Sequence, residues 1–420
     1  MSAAGLLTSH LRPGHPDFLD LPWQHSLANW DDTFPRIESL PVGDSRHAVR
    51  FVNYEGRLYA LKELPPDLAQ KEYSVLREME ELGLPVVHPI GYIRTETHDG
   101  PCGVLVTRYL DRSLPYQLIF QSGRLERYRD HLLDAMAILL VQLHLSGVFW
   151  GDCSLNNTLF RRDAGALQAY FVDAETSEVQ PSIAEGMREH DLEITEENVY
   201  GALLDLQAQG TLDANFPVPD VGRYLRERYD RLWDEVCREE IISREEGYRI
   251  QERVRSLNAL GFSVDEVELA TTEGGSMLSY RVLVTDRNFH RNQLATLTGI
   301  DAEEGQARQM INEIQEMRAT LSQKRNRSVP LSATAFHWLT QLFTPISAQL
   351  EKLSSEDVGL VELYCELLEH KWYLSENAAG DVGHESALKD YLRVKEARTE
   401  EDHTEEDRRE DHTEAPTEED

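Results

Sequence analysis

The eight residues Arg57–Leu64, RLYALKEL, stand between Tyr54-Glu55-Gly56 and Pro65-Pro66-Asp67. A short glycine-containing link favours a hairpin, and a double proline cannot continue a strand. This run is therefore expected to be a strand that pairs back on Ala48–Asn53 and stops where a helix begins. The helix follows at once, because Leu68, Val75, Leu76, Met79 and Leu82 keep helical spacing up to Gly83. Two further strands fall near Val86–Ile93 and Gly103–Tyr109. Such a succession builds a small antiparallel sheet with one helix against it.

The residues before it, 1–34, have no clear periodicity and read as an extended amino-terminal arm. After residue 110 the pattern becomes helical. Leu132, Leu133, Met136, Leu139, Leu140 and Leu143 form one apolar face ahead of the polar loop GVFWGDCSLNNTLF, Gly147–Phe160. A short strand at Thr158–Arg161, a turn at Asp163-Ala164-Gly165 and a strand ending at Val172 follow. From Ser182 to about Leu260 the chain reads as mostly helical, then as a hairpin with arms Val264–Thr271 and Met277–Val284. Amphipathic helices fill the remainder to about Glu396. The expected fold class is α+β: a sheet lobe (35–110), a helical lobe (111–240), and a mostly helical domain carrying the hairpin (241–395). His337-Trp338 and His370-Lys371-Trp372-Tyr373 read as core or helix-contact aromatics. The tail 396–420, with TEED three times, cannot bury enough apolar surface to fold and is expected to be disordered.

Charge narrows the partners. The net charge is −33, and the tail, with thirteen acidic residues and three arginines, accounts for ten of it. The remaining −23 repels phosphate backbones, which argues against nucleic acid as a general partner. Four widely spaced cysteines include no C-x-x-C pair and give no zinc spacing. The start, MSAAGLLTSHLRPGHP, has no basic region followed by a long apolar stretch, and AMAILLV is far too short to span a bilayer. A cytoplasmic protein without a transmembrane segment is the expectation.

Three features carry chemistry. Lys62 shares a strand face with Leu58, Ala60 and Leu64, where a charged amine is costly unless something pairs with it. It either snorkels to water at a strand edge or reaches a bound phosphate, held by a carboxylate. Ala60 would then be small so that a flat ring can lie against the strand. Glu72 is the obvious carboxylate, since Val75, Leu76 and Met79 lie on its side of the next helix. In the polar loop, Asp152 and Asn157 are five residues apart, a spacing without meaning by itself. Asp173, sixteen residues after Asn157 at the end of a second apolar strand, gives it context: a hairpin of that length returns Asp173 to Asn157. Two converging oxygen ligands suit Mg²⁺, and Asp152 would be free to orient a hydroxyl and accept its proton.

In their order, Tyr59-Ala60-Leu61-Lys62, Glu72, Gly151-Asp152 with Asn157, and Asp173-Ala174-Glu175 resemble the protein-kinase-like folds, in particular the group with the bacterial lipopolysaccharide core kinases. More closely, the chain resembles a bacterial family that joins such a kinase-like half to a domain of unknown function. The phrases MREHDLEITEENVYGALLDLQAQG, LNALGFSVDEVELATTEGG, EGQARQMINEI and LLEHKWYLSENAAGDVG carry this likeness, which runs to about Glu396. The resemblance implies that Lys62 contacts nucleotide phosphates and pairs with Glu72, that Asp152 is the base-like residue, and that Asn157 and Asp173 are magnesium ligands. It implies a hinge facing adenine at Thr107–Leu110, including Tyr109.

Several residues depart from that pattern. No G-x-G-x-x-G is present; Gly43-Asp44-Ser45-Arg46 is the partial substitute, so Gly43 and Ser45 are the candidates for phosphate contact there. Trp150-Gly151 stands in place of His-Arg, Glu175 replaces the glycine of Asp-Phe-Gly, and no Ala-Pro-Glu follows. These departures argue against a conventional peptide-phosphorylating kinase. Two readings stay open: an ATP- and Mg²⁺-dependent phosphotransferase acting on a small-molecule, glycan or lipid-linked acceptor, and a nucleotide-binding pseudokinase serving as regulator or scaffold. In either, the carboxy-terminal domain is a candidate surface for a protein partner.

Overall fold

Glu55 and Gly56 both take positive φ, 54° and 77°, the left-handed pair that a two-residue hairpin needs to match right-handed strand twist. The computed structural model in which they lie describes residues 8–31, 33–40, 46–121, 126–238, 240–243, 248–259, 264–271, 277–284, 289–354, 358–378 and 380–395. The strands Thr8–Leu11 (β1), Ile37–Glu38 (β2), Val49–Tyr54 (β3), Arg57–Leu64 (β4), Pro89–Thr97 (β5) and Gly100–Arg108 (β6) form one antiparallel sheet, ordered β1-β5-β6-β4-β3-β2. β5 lies later than the periodicity suggests, while β6 begins earlier, at Gly100. Val86 makes only an isolated bridge to Phe171, and β5 runs on to Thr97 before a tight turn.

Between β4 and β5, the helix Pro66–Glu81 (α1) buries Ala69, Glu72, Tyr73, Leu76 and Met79. Its distance from the sheet is set at Gly103. A Cβ there would lie 2.7 Å from Cα of Pro66 and 2.9 Å from Cβ of Ala69, so only glycine lets the helix start this close.

The opposite face of the sheet is covered as well. Phe18, Leu21, Trp23, Leu27 and Trp30 pack with Val52, Tyr59, Leu61, Ile93, Val104 and Val106. Residues 8–30 are thus no free arm but a strand and an irregular cover over the outer face. Their backbone follows no period because it is fixed by individual contacts. Trp23 Nε1 donates to the Phe18 carbonyl at 2.7 Å, Thr95 Oγ1 to the Trp23 carbonyl at 3.2 Å, and Ser26 Oγ to both oxygens of Glu63 at 3.0 Å.

The helical lobe is built around Glu126–Leu145 (α3), reached through Tyr116–Gln121 (α2). From Leu132 to Leu143, α3 buries residues on nearly every side, as a helix does when other elements enclose it. Val148–Phe149 (β7) pairs with Glu178–Val179 (β10). Thr158–Asp163 (β8) and Ala166–Phe171 (β9) form a hairpin about the positive-φ pair Ala164 and Gly165. Glu185–Ala208 (α4) and Val218–Cys237 (α5) close the lobe. After it come Glu240–Ser243 (β11), a strand inside the stretch expected to be helical, then Tyr248–Ala259 (α6), Val264–Thr271 (β12) and Met277–Val284 (β13). These strands pair in the order β11-β13-β12. The compact first unit ends at Phe289.

The second unit contains Phe289–Thr298 (α7, from His290), Glu304–Arg325 (α8), Leu331–Trp338 (α9), Thr344–Leu350 (α10), Leu360–Asn377 (α11) and a helix over 384–395 (α12). Trp338 and Tyr364 are buried, and both donate to Oε2 of Glu313, at 2.7 and 2.9 Å. Trp372 and Tyr373, expected as core or helix contacts, are 64% and 59% exposed, because they lie off the apolar stripe of α11. The tail 396–420 and the hairpin link 272–276 lie outside the described residues. Among the described residues, no helix is long and apolar enough to cross a membrane.

If the outer-face cover is part of the folded core, Trp23→Ala lowers unfolding stability by about 3 kcal/mol, read as a shift of the urea midpoint. No shift would restore the picture of a detached arm.

Candidate active site

Lys62 enters from β4, on the face of the sheet opposite Tyr59 and Leu61, and Glu72 from the second turn of α1. Lys62 Nζ is 3.2 Å from both oxygens of Glu72 and 2.7 Å from Oδ2 of Asp173. Glu72 is wholly buried, and its Oε1 also accepts from the Ala174 N–H at 3.3 Å. Burial is the largest influence on its carboxyl and pushes its pKa up to about 7, while the Lys62 ammonium pulls the other way. For Lys62 burial opposes the charge, but Glu72 and Asp173 outweigh it and its pKa is raised. The amine is therefore held charged between two carboxylates, one from each lobe.

The polar loop lies beneath. Val172 N–H donates to the Asn157 carbonyl at 3.2 Å. This is the return of the hairpin that sets Asp173 beside Asn157. The Asn157 amide donates to the Asp152 carbonyl at 3.0 Å and to its Oδ2 at 3.2 Å. Asn198, from α4, donates to Asp152 Oδ1 at 3.4 Å and to the Cys153 carbonyl at 3.0 Å. The Asp152 carboxylate is thus bracketed by two amides, one on each oxygen, which fixes its plane. Arg46 lies 3.6 Å from Oδ2. Asn157 and Asp173 offer an amide oxygen and a carboxylate, a hard donor set that fits a magnesium ion completing its shell with phosphates and water.

Two residues that support this loop escape sequence reasoning. Asp191 of α4, wholly buried, accepts the Trp150 and Gly151 N–H groups, each at 2.8 Å, and faces His144 Nε2 at 3.2 Å. His144 Nδ1 lies 2.8 Å from the Tyr229 hydroxyl. One carboxylate thereby pins the backbone just before Asp152, where Gly151 has a φ of 79°. Its signal was available: Asp191 lies on the buried stripe with Thr195 and Val199, an acidic residue on a buried helix face like Glu72. Asn198 gave no such signal. Trp150 is buried against Phe171, with ring centroids 5.0 Å apart, and serves the core.

Ala60 stands opposite Thr107 in the β4–β6 register, on the same face as Lys62. The strand end is tied by the Tyr109 N–H donating to the Leu58 carbonyl at 3.0 Å. The residues assigned to the hinge thus border one side of the cleft that holds Lys62. Gly43 and Ser45 lie outside the described residues. Glu175, in the place of the expected glycine, is engaged by His47 at 3.2 Å through its side chain and by Lys71 at 3.0 Å through its carbonyl.

Comparison with known proteins matches two regions of the chain. Residues 56–207 match the lipopolysaccharide kinase (Kdo/WaaP) family, and residues 231–395 match a domain of unknown function, DUF4032. No curated protein is similar enough to count as a relative. Among solved structures the chain is similar to "WaaP in complex with acyl carrier protein", at 16% identity and a TM-score of 0.33. That likeness covers 54% of this chain and 88% of the other.

The raised pKa of Glu72 has a measurable consequence. A carboxyl whose folded pKa exceeds its unfolded value favours folding at low pH, and this contribution fades as pH rises through the folded pKa, here about 7. From roughly pH 5 to pH 8, wild-type stability should fall relative to Glu72→Gln, measured as paired urea midpoints. A gap independent of pH would contradict this environment for Glu72.

Proposed function

We propose that this chain, with its lipopolysaccharide kinase (Kdo/WaaP) family region, is an ATP- and Mg²⁺-dependent phosphotransferase acting on a hydroxyl of a small-molecule, glycan or lipid-linked acceptor. The observation that carries the proposal is the ion triad of Lys62 with Glu72 and Asp173, set above an Asp152 carboxylate whose two oxygens are oriented by Asn157 and Asn198. Adenine lies against Ala60 with Thr107 and Tyr109 at the hinge, and Lys62 holds the phosphates from the sheet side. Asn157 and Asp173 would hold the magnesium ion, which would supply neutralisation of charge on the transferring phosphates.

Asp152 accepts a hydrogen bond from the acceptor hydroxyl and directs the oxygen lone pair at the γ-phosphorus. The new P–O bond forms as the bond to the β-phosphate oxygen breaks, the hydroxyl proton passes to the Asp152 carboxylate, and ADP leaves with the electron pair. Asn157 and Asn198 hold the carboxylate in the orientation that this requires.

One observation favours the alternative, a nucleotide-binding pseudokinase acting as regulator or scaffold. The Asp152 carboxylate already faces a cation, with Arg46 3.6 Å from its Oδ2.

A pair of variants decides. Asp173→Ala should abolish the Mg²⁺-dependent part of nucleotide binding measured by calorimetry. Asp152→Ala should bind nucleotide as the wild type does while losing roughly hundred- to ten-thousand-fold in ATP turnover. Wild-type binding with no turnover on any hydroxyl acceptor would favour the pseudokinase.

A further inference from the structure

Acidic residues outnumber lysine and arginine by 75 to 42 in this chain. Several arginines of the first unit are held by carboxylates, among them Arg36 by Asp20, Arg77 by Glu81, Arg94 by Asp67, and Arg226 by Glu189 and Glu196. Arg57 and Arg108 differ. Neither guanidinium has an ion-pair or hydrogen-bond partner among the described residues, and the two occupy one corner of the outer sheet face. Arg108 stands opposite Tyr59 in the β4–β6 register, and Arg57 precedes Tyr59 by two residues on the same strand face.

The amino-terminal cover brings more positive charge to this corner. His15 places Nδ1 3.5 Å from the buried Tyr59 hydroxyl; with Nδ1 accepting from that hydroxyl, Nε2 is the ring nitrogen that carries the proton. Its ring lies 6.0 Å from that of His88, and Arg12 Nη1 is 3.4 Å from His88 Nε2. The carboxylate paired with this group is Glu80, which Arg12 and His88 already share. Burial first, and then His88, Arg12, Arg108 and Arg57, hold the pKa of His15 below its ordinary value. Glu80 answers the charge of Arg12 and His88, and neither Arg57 nor Arg108 has an ion-pair partner among the described residues. Like charges gathered at one corner repel one another, and a bound anion relieves that repulsion.

We propose that this corner binds a phosphate-type dianion, with Arg57, Arg108 and His15 as its donors. Two guanidinium forks and one imidazole N–H suit a tetrahedral oxyanion, which accepts several charge-assisted bonds at once. The site is distinct from the nucleotide cleft, because Tyr59 and Lys62 point to opposite faces of β4. It is also tied to the hinge. The Arg108 N–H donates to the His88 carbonyl at 2.8 Å, and Tyr109, the next residue, bonds to Leu58.

The test reads the titration of the His15 imidazole by NMR in the full chain, assigned with His15→Gln, while inorganic phosphate replaces chloride at constant ionic strength. The midpoint of His15 should rise by about one pH unit in the wild type. It should rise equally in Lys62→Met, which removes the cation of the cleft, and not at all in Arg57→Gln/Arg108→Gln, whose urea midpoint serves as the check on folding. An equal response to methyl phosphate identifies the end of a phosphomonoester as the ligand, and a response to inorganic phosphate alone identifies free phosphate. No rise with either anion overturns the site, as does a rise that survives in the double variant or vanishes in Lys62→Met.

Discussion

A carboxylate with no solvent exposure must be paired or neutral, and in this protein that carboxylate is Glu72. Its partner, Lys62, is shared with Asp173, so one ammonium joins β4, α1 and the end of the β8–β9 hairpin. Much of the sheet lobe serves to set these three groups at this distance. The double proline starts α1 immediately after β4, Gly103 lets it approach the sheet, and Tyr73, Leu76 and Met79 hold its inner face. The same geometry accounts for the pKa of Glu72, where burial outweighs the attraction of Lys62.

The loop below depends on a second buried carboxylate. Asp191 receives two consecutive backbone N–H groups, and Thr176 and Ser177 hydroxyls donate to the Trp150 carbonyl at 2.9 Å each. The segment before Asp152 is therefore fixed from both sides of its backbone, without recourse to the side chain of Trp150, which is given over to packing. A residue in that place needs only to fill the core and allow Gly151 its positive φ. Trp150-Gly151 can therefore stand where the resemblance leads one to expect His-Arg.

How much of this is legible in the sequence depends on whether a residue breaks a local pattern. Lys62 and Glu72 do, as charges on apolar faces, and the hairpin length sets Asp173 beside Asn157. Strands β3 and β4, helix α1 and the β8–β9 hairpin are marked by proline, glycine and clean periods. The outer-face cover is not, since the spacing of Phe18, Leu21, Trp23, Leu27 and Trp30 follows neither a helix nor a strand and its partners lie far along the chain. Strand β11 is hidden for a similar reason: four residues are too few to show a period. Asn198 acts through a single amide, and Trp372 shows that an aromatic in a helical pattern does not by itself define a buried face.

The central claim is that the Lys62–Glu72–Asp173 triad is a binding device for magnesium nucleotide and not merely an ion pair that stabilises the fold. The most direct measurement is a double-mutant cycle on Mg·ATP binding by calorimetry, with Lys62→Met, Glu72→Gln and the pair. The account predicts strong coupling: Glu72→Gln weakens binding in the wild-type background and has almost no further effect once Lys62 is gone, a coupling of about 1 kcal/mol or more. Additive effects, or binding untouched by either change, would contradict it.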